Sequence, residues 1–395
     1  MTTKAGVGIS RHHSPSIAGH EAAEQALEKA GVGKPDFVFM FASVGYEQRS
    51  LLQAVREAIG GAPLCGCSGE GTIGGDNADE SNFSVVVMVI SSDKLRWHNG
   101  LATEISADSW AAGQRVAQDL SSDLSADAVG LFAFPDGLTA NVDQFLGGLE
   151  GNLSTDRFLP IWGGAPADNF TTSQTYQYCD DKVVSDGVAY ALLSGEALPV
   201  WAIDAAYVPI GGERTVTRSQ GNVIYEIDGK PALEVLQGYL PDPALADDWG
   251  SFANSLALSF RAPSYIKDEE YVARALLTAN KAEGSVNLAT DVQEGTSVWM
   301  SSRDKEKTTT GLDRMAAQIK QELGDAQPRL VLHFDCAARG KVMFRDKEKL
   351  QLLRQFRQAV GPEAPWAGFY TFGEIGPVGK HNCYHNYTAV VLALS

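Results

Sequence analysis

One outline occurs three times in this chain: a short apolar stretch, a glycine-spaced polar segment, and then an apolar run of β type. Residues 63–90 read PLCGCSGEGTIGGDNADESNFSVVVMVI, and residues 160–193 open with PIWGGAPADN and close with VVSDGVAYALL. Residues 366–395 read WAGFYTFGEIGPVGKHNCYHNYTAVVLALS. A pattern used three times points to one α/β unit repeated, and its irregular spacing argues for a short pseudo-duplicated fold rather than a solenoid. The loops Cys67–Gly75, Gly163–Asn169 and Thr371–Gly379 are then expected at equivalent places.

The flanking residues complete the unit. Ser16–Ala30 places small and apolar residues at helical steps and stops at Gly31. Phe37–Ala42 is apolar on both faces, as a buried strand is. Leu51–Ile59 reads as a helix and Phe83–Ile90 as a second buried strand. The order recurs with a strand at Ala128–Phe134, a helix at Asn141–Leu149, a short strand at Leu159–Gly164 and a strand at Val188–Leu193. It recurs again in Arg329–Phe334, Lys347–Val360, Pro365–Phe372 and Thr388–Leu394. The fold class that follows is α/β: mixed sheets flanked by helices, built from repeated strand-helix-strand-strand units, in two pseudo-related halves. Between the second and third copies, residues 201–239 read as a strand meander ending in a helix-like stretch. The Pro/Asp-rich LPDPALADDWG at residues 240–250 points to a domain boundary near residues 235–250.

Charge limits the partners. The net charge is −17 without a cluster of Lys or Arg, which argues against nucleic acid and anionic membrane, since both need a positive surface. The N-terminal MTTKAGVGISRHHSPS lacks a signal-peptide core, and no apolar run reaches membrane-spanning length, so a cytoplasmic location is expected. Five cysteines without a C-x-x-C spacing argue against a disulfide scaffold, a zinc ribbon and covalent c-type haem.

Two motifs mislead. Gly69–Gly74 matches a dinucleotide fingerprint, but a polar loop and a strand follow where the pyrophosphate needs a helix N-terminus. Gly66-Cys-Ser68-Gly-Glu70 resembles a nucleophile elbow but carries Glu70 where the turn needs glycine.

Five segments in order resemble the FIST-domain family, an intracellular ligand-sensing family. Gly66-Cys-Ser-Gly-Glu and Gly163-Gly-Ala-Pro-Ala-Asp168 resemble segments of its N-terminal half, and Gly229-Lys-Pro-Ala232-Leu resembles the junction. His333-Phe-Asp-Cys336-Ala-Ala-Arg339-Gly340 and Phe369–Pro377 with Tyr384–Thr388 resemble its C-terminal half. The resemblance runs from about residue 20 to 395 and implies a FIST N-terminal domain at 20–235 and a C-terminal domain at 236–395. Ser68-Gly-Glu70-Gly departs from the family order, so an acidic role for that loop does not carry over to Glu70.

The candidate ligand-binding residues are Cys336, Arg339, Gly373, Glu374 and His385. Arg339 three residues after Cys336 favours a thiolate and offers a fork for a carboxylate, although a free cysteine is also a small buried hydrophobe. Glu374 among Gly373, Gly376 and Gly379 offers a carboxylate and backbone N–H groups to a small polar molecule, and the glycines serve equally as turn residues. Asp168 and Asn169 carry the same two readings. In an extended stretch His381, Cys383 and His385 share one face, a donor set for a metal or for haem iron. His385 is the first choice of axial ligand, with His381 and Cys383 as alternatives. His12 and His13 read as part of a frayed terminus, His98 as part of an exposed turn, and His333 as a core histidine.

No motif forms a catalytic constellation, so sensing is favoured over catalysis. The resemblance implies a cytosolic signal-transduction protein acting on a separate histidine kinase or diguanylate cyclase, with self-association possible. Its ligand is haem b sensing nitric oxide, as in stand-alone members, or an amino acid or related metabolite. A Cys336-dependent enzyme, with His333 or His385 as base, is the reading from another class.

Overall fold

The computed structural model describes residues 3–154, 157–240, 256–261 and 271–395. They form two compact units, one of residues 1–204, 312–384 and 388–395, the other of residues 205–311 and 385–387.

The first unit repeats one path three times. The first copy runs β1 (Lys4–Ser10), α1 (Pro15–Ala30), β2 (Phe37–Ser43), α2 (Gln48–Ala58), β3 (Leu64–Gly69), a hairpin β4 (Thr72–Gly74) and β5 (Asn77–Asp79), and β6 (Val85–Ser91). The second runs β7 (Leu95–Thr103), α3 (Ser109–Leu120), β8 (Ala128–Pro135), α4 (Val142–Glu150), β9 (Ile161–Ala165), a hairpin β10 (Gln177–Cys179) and β11 (Lys182–Val184), and β12 (Gly187–Gly195). The third starts with β13 (Pro199–Ala205) and is then interrupted.

The interruption is the second unit. Its strands are β14 (Tyr207–Gln220), β15 (Val223–Ile227), β16 (Lys230–Pro231), β17 (Leu256–Arg261), β18 (Tyr271–Arg274), β19 (Leu276–Asn280), β20 (Ser285–Leu288) and β21 (Ser297–Arg303), with a short α5 (Ala232–Gln237). They make one eight-stranded sheet in the order β18-β17-β21-β14-β15-β20-β19, with β16 paired to β15. Its core gathers Val216, Ile224, Leu236, Leu258 and Met300. The boundary segment expected at 240–250 lies outside the described residues except for Leu240.

The third copy resumes with α6 (Lys305–Leu323), β22 (Leu330–Cys336), α7 (Asp346–Val360), β23 (Trp366–Thr371), a hairpin β24 (Gly373–Val378) and β25 (His381–His385), and β26 (Thr388–Leu394).

Each copy lays four strands into a six-stranded sheet: β1-β6-β2-β3, β7-β12-β8-β9 and β13-β26-β22-β23. The middle pairings correspond, with β2–β3, β8–β9 and β22–β23 parallel and β2–β6, β8–β12 and β22–β26 antiparallel. The last two strands of every sheet are a hairpin from another copy. β10–β11 completes the first sheet, β24–β25 the second and β4–β5 the third. A ring of backbone bonds closes the exchange: Glu70 donates to the Tyr370 carbonyl at 2.9 Å, Phe372 to Ala165 at 3.0 Å and Ala167 to Ser68 at 3.2 Å. Every donor lies four residues, and every acceptor two, beyond Gly66, Gly163 or Gly368, which hold matching places in the three parallel pairs.

The inner faces of the sheets meet in a shared aromatic core. Phe41, Phe134 and Phe334 hold matching places on β2, β8 and β22, with ring centroids 5.6, 6.3 and 6.0 Å apart and edges turned to faces. Helices cover the outer face. The small face of α1 allows close approach, so a side chain on Gly6 or Gly8 of β1 would strike the carbonyls of Ala26 or Ala22. Repeated strand-helix-strand-strand units in mixed sheets are thus the architecture.

Two expectations are corrected. The N-terminus is not frayed: β1 pairs along its length with β6, and His13 stacks on Phe83 at 4.5 Å. His98 is not in a turn but on β7, its ring 2.7 Å from Asp119 and 3.3 Å from Asp123.

Candidate functional site

Strand β22 is apolar except for His333 and Asp335, ends at Cys336, and a single 3-10 turn, Ala337–Arg339, then folds the chain back. That turn carries the Arg339 guanidinium over the strand end. Its Nε donates to Asp335 Oδ1 at 2.7 Å and its Nη1 to the Asp204 carbonyl at 3.4 Å, with Asp204 Oδ2 3.8 Å away. Burial works against both charges of this pair. The guanidinium and His333 nevertheless hold the Asp335 carboxyl below its ordinary range. Asp335, Asp204, Glu374 and Cys336 together keep Arg339 firmly cationic.

Glu374 enters from β24. Its side chain is 0% exposed, and burial raises its pKa to about 8 against the opposing bonds from two threonines. The Thr371 hydroxyl bonds one oxygen, and Thr388 bonds the other through its N–H at 3.1 Å and its hydroxyl at 2.5 Å. Three buried carboxyls, Asp204, Asp335 and Glu374, thus act on one buried guanidinium, and Asp204 is also paired with Arg314 Nη2 at 2.6 Å.

Cys336, Arg339, Gly373 and Glu374 all fall in the first unit, and the charge of Arg339 is felt against both Cys336 and Glu374. His385, the last residue of β25, groups with Asn386 and Tyr387 in the second unit. Arg339 does not project as an open fork, because Asp335 and Asp204 already take its Nε and one terminal nitrogen. Gly373 is a ladder residue opposite Ala165, and its missing side chain leaves room for the Tyr384 hydroxyl, which would lie 2.1 Å from a Cβ there. Asp168 caps its own loop, accepting from the N–H groups of Thr172, Ser173 and Gln174. Gly69–Gly74 runs into the hairpin strand β4, not into a helix.

The sequence reading missed Asp204, Asp335, Thr371 and Thr388. Asp335 carried a signal, a charged residue ending an apolar strand. The others did not, since Asp204 lies 131 positions upstream of Asp335. His333 is buried 3.4 Å from Asp335, with the Trp366 indole 3.4 Å from its other nitrogen.

Of the three metal-type donors on β25, His381 is exposed, Cys383 half-buried and His385 only 6% exposed. Among the described residues no group of three or more His, Cys, Asp or Glu could hold a metal ion. Among the described residues no helix is long and apolar enough to cross a membrane.

Residues 36–230 match the FIST N domain and residues 232–377 the FIST C domain. An uncharacterized protein of Mycobacterium tuberculosis is 26% identical over 400 residues, covering 97% of each chain. One of Mycobacterium bovis is 27% identical over 409 residues, again covering 97% of each. One of Methanocaldococcus jannaschii is 24% identical over 231 residues, 54% of this chain and 43% of that one. Among solved structures, a chorismatase aligns with 100% of this chain and 99% of its own at 11% identity and a TM-score of 0.35. A cyanuric acid hydrolase from A. caulinodans aligns with 49% of this chain and 72% of its own, at 9% identity and a TM-score of 0.29. Scores this low carry no argument about function.

Proposed function

This chain belongs to the FIST family, whose domains sense small ligands in signalling, and from that premise we propose that it is a sensor of an amino acid or related metabolite. The observation that carries this reading is Glu374, a fully buried carboxyl that burial raises to about 8 while it faces the buried cation Arg339. Buried acids perturbed in this way concentrate at functional sites. A zwitterionic ligand suits such a cluster, its ammonium offsetting the carboxyls and its carboxylate facing the guanidinium. The proposed output is a protein partner, such as a separately encoded histidine kinase or diguanylate cyclase.

The test is calorimetric titration of the full chain with the standard amino acids, repeated on Glu374→Gln. We expect one chemical class of amino acid to bind, and the variant to weaken it by about tenfold or more, the loss of one charge-assisted bond. If no amino acid binds the wild type, the reading fails. The narrower alternative is haem b with His385 as axial ligand, supported by His385 being the most buried of the three donors. A bound haem supplies an iron whose open position takes nitric oxide. Haem absorption after reconstitution, compared between wild type and His385→Ala, decides it, and an identical spectrum in the variant removes His385.

A further inference from the structure

A second buried carboxyl lies apart from the Glu374 cluster. Glu70 follows β3, and its N–H is one of the three bonds of the backbone ring. Its side chain is 0% exposed, with Oε1 accepting from Lys341 Nζ at 2.9 Å while Oε2 has no hydrogen-bond partner. Such a buried orphan oxygen is uncommon and calls for an occupant. Glu80 beside it is fully engaged. Its two oxygens accept the Lys341 N–H at 2.9 and 2.8 Å, and Lys349 Nζ pairs with it as well. Glu80 and Lys349 therefore offset each other, leaving Glu70 with Lys341, whose side chain is 44% exposed.

Two aromatic rings flank this pair. Phe170 is 43% exposed, its ring 5.7 Å from that of Phe372 and 5.8 Å from Lys341 Nζ. Asn169 and Phe170 sit at φ of 58° and 55°, a left-handed conformation that is strained for a bulky residue. The cap made by Asp168 on the residues that follow holds the backbone there. An exposed phenyl ring on a strained, anchored loop, beside a half-exposed ammonium and an orphan carboxyl oxygen, has the parts of a binding site.

We propose that this cluster around Glu70 and Lys341 binds a small organic monocarboxylate, its carboxylate bridging Lys341 Nζ and Glu70 Oε2 and its apolar part lying on Phe170 and Phe372. The site is independent of the amino-acid reading at Glu374. A bond between two carboxyl groups needs one proton, and Glu70 brings it, donating Oε2–H to a ligand that stays anionic. With Glu70 neutral, Lys341 is the ammonium left to face a monoanion, because Lys349 is paired with both Glu80 and Asp346. Burial raises Glu70 to about 7, against the pull of Lys341 and of the Phe170 N–H, which faces the carboxyl without reaching hydrogen-bond geometry at Oε2, and with Glu80 adding to the rise. Lys349 lies behind Glu80 and over the Tyr370 ring.

The test is calorimetric titration of the full chain with benzoate at about pH 6 and about pH 8, on either side of the Glu70 transition. Expected are proton uptake on binding and an affinity that falls about tenfold per pH unit above the transition. Glu70→Gln, whose amide donates permanently, should keep binding and lose the pH dependence. Lys341→Met and the exposed Phe170→Ala should each weaken benzoate by about tenfold or more. Glu374→Gln should leave it unchanged, which separates this site from the amino-acid site. Absence of saturable benzoate binding, equal affinity at both pH values, or indifference to both Lys341→Met and Phe170→Ala would overturn the proposal.

Discussion

At the residue scale, the behaviour of this protein rests on carboxyls placed where water does not reach. Glu374 is raised from an ordinary 4.5 to about 8, so the folded chain holds its proton more tightly than the unfolded one. Between those two values the folded state binds more protons, and stability therefore falls as pH rises across that window. Denaturant unfolding at several pH values between about 5 and 8 should show wild-type stability declining, with Glu374 contributing at most about 1.4 kcal/mol per pH unit. In Glu374→Gln that decline should flatten, leaving the smaller slope due to Glu70. An identical slope in the variant would mean that Glu374 is ionised in the folded state. The acid itself was legible, a lone carboxylate among glycines. Its surroundings were not, because Thr388 and the guanidinium neighbour at 339 reach it only through the sheet.

At the scale of the elements, three glycines fix how each parallel strand pair sits. A Cβ on Gly66, Gly163 or Gly368 would come within 1.8, 2.1 or 1.7 Å of the carbonyl oxygen of Met40, Ala133 or His333, its partner in the parallel pair. A carbonyl held in a sheet cannot move aside. Alanine at each of the three positions should therefore destabilise the chain by about 3 kcal/mol or more, measured by urea unfolding. Gly75, with open space around it but φ of 55°, should cost only about 1 kcal/mol as alanine. Tolerance of alanine at Gly66 or Gly368 would contradict the strand pairing. Helices α1, α2, α4 and α7 and the buried central strands of all three copies were legible, since their apolar runs and periodicities are local, whereas α3 and α6 were not. Strand β1 was not, because its alternating Gly6 and Gly8 weaken the apolar signal that marks a strand.

At the scale of the whole molecule, the exchanged hairpins make the three copies interdependent. Residues 1–204 by themselves would leave β4–β5 without its sheet and β9 without β24, exposing unpaired strand edges. That fragment should express as insoluble or partly unfolded protein, and co-expression with residues 312–395 should restore soluble, cooperatively folding material. Soluble yield and far-ultraviolet circular dichroism measure this. Cooperative unfolding of the fragment alone would show that the exchange is dispensable.

The sequence by itself determined the central part of the repeated unit, a strand, a helix and two further strands, and the positions of the polar turns, because each is written in contiguous residues through periodicity and glycine spacing. It also determined the family, through short motifs in a fixed order. Only the tertiary structure decided which copy supplies each hairpin, since a three-residue strand such as Thr72–Gly74 carries no information about its partner. Only the tertiary structure brought Glu70 to Lys341 across 271 positions and Asp204 to Arg339 across 135. The charge state of a carboxyl depends on burial and on neighbours of that kind, and both are properties of the packed molecule.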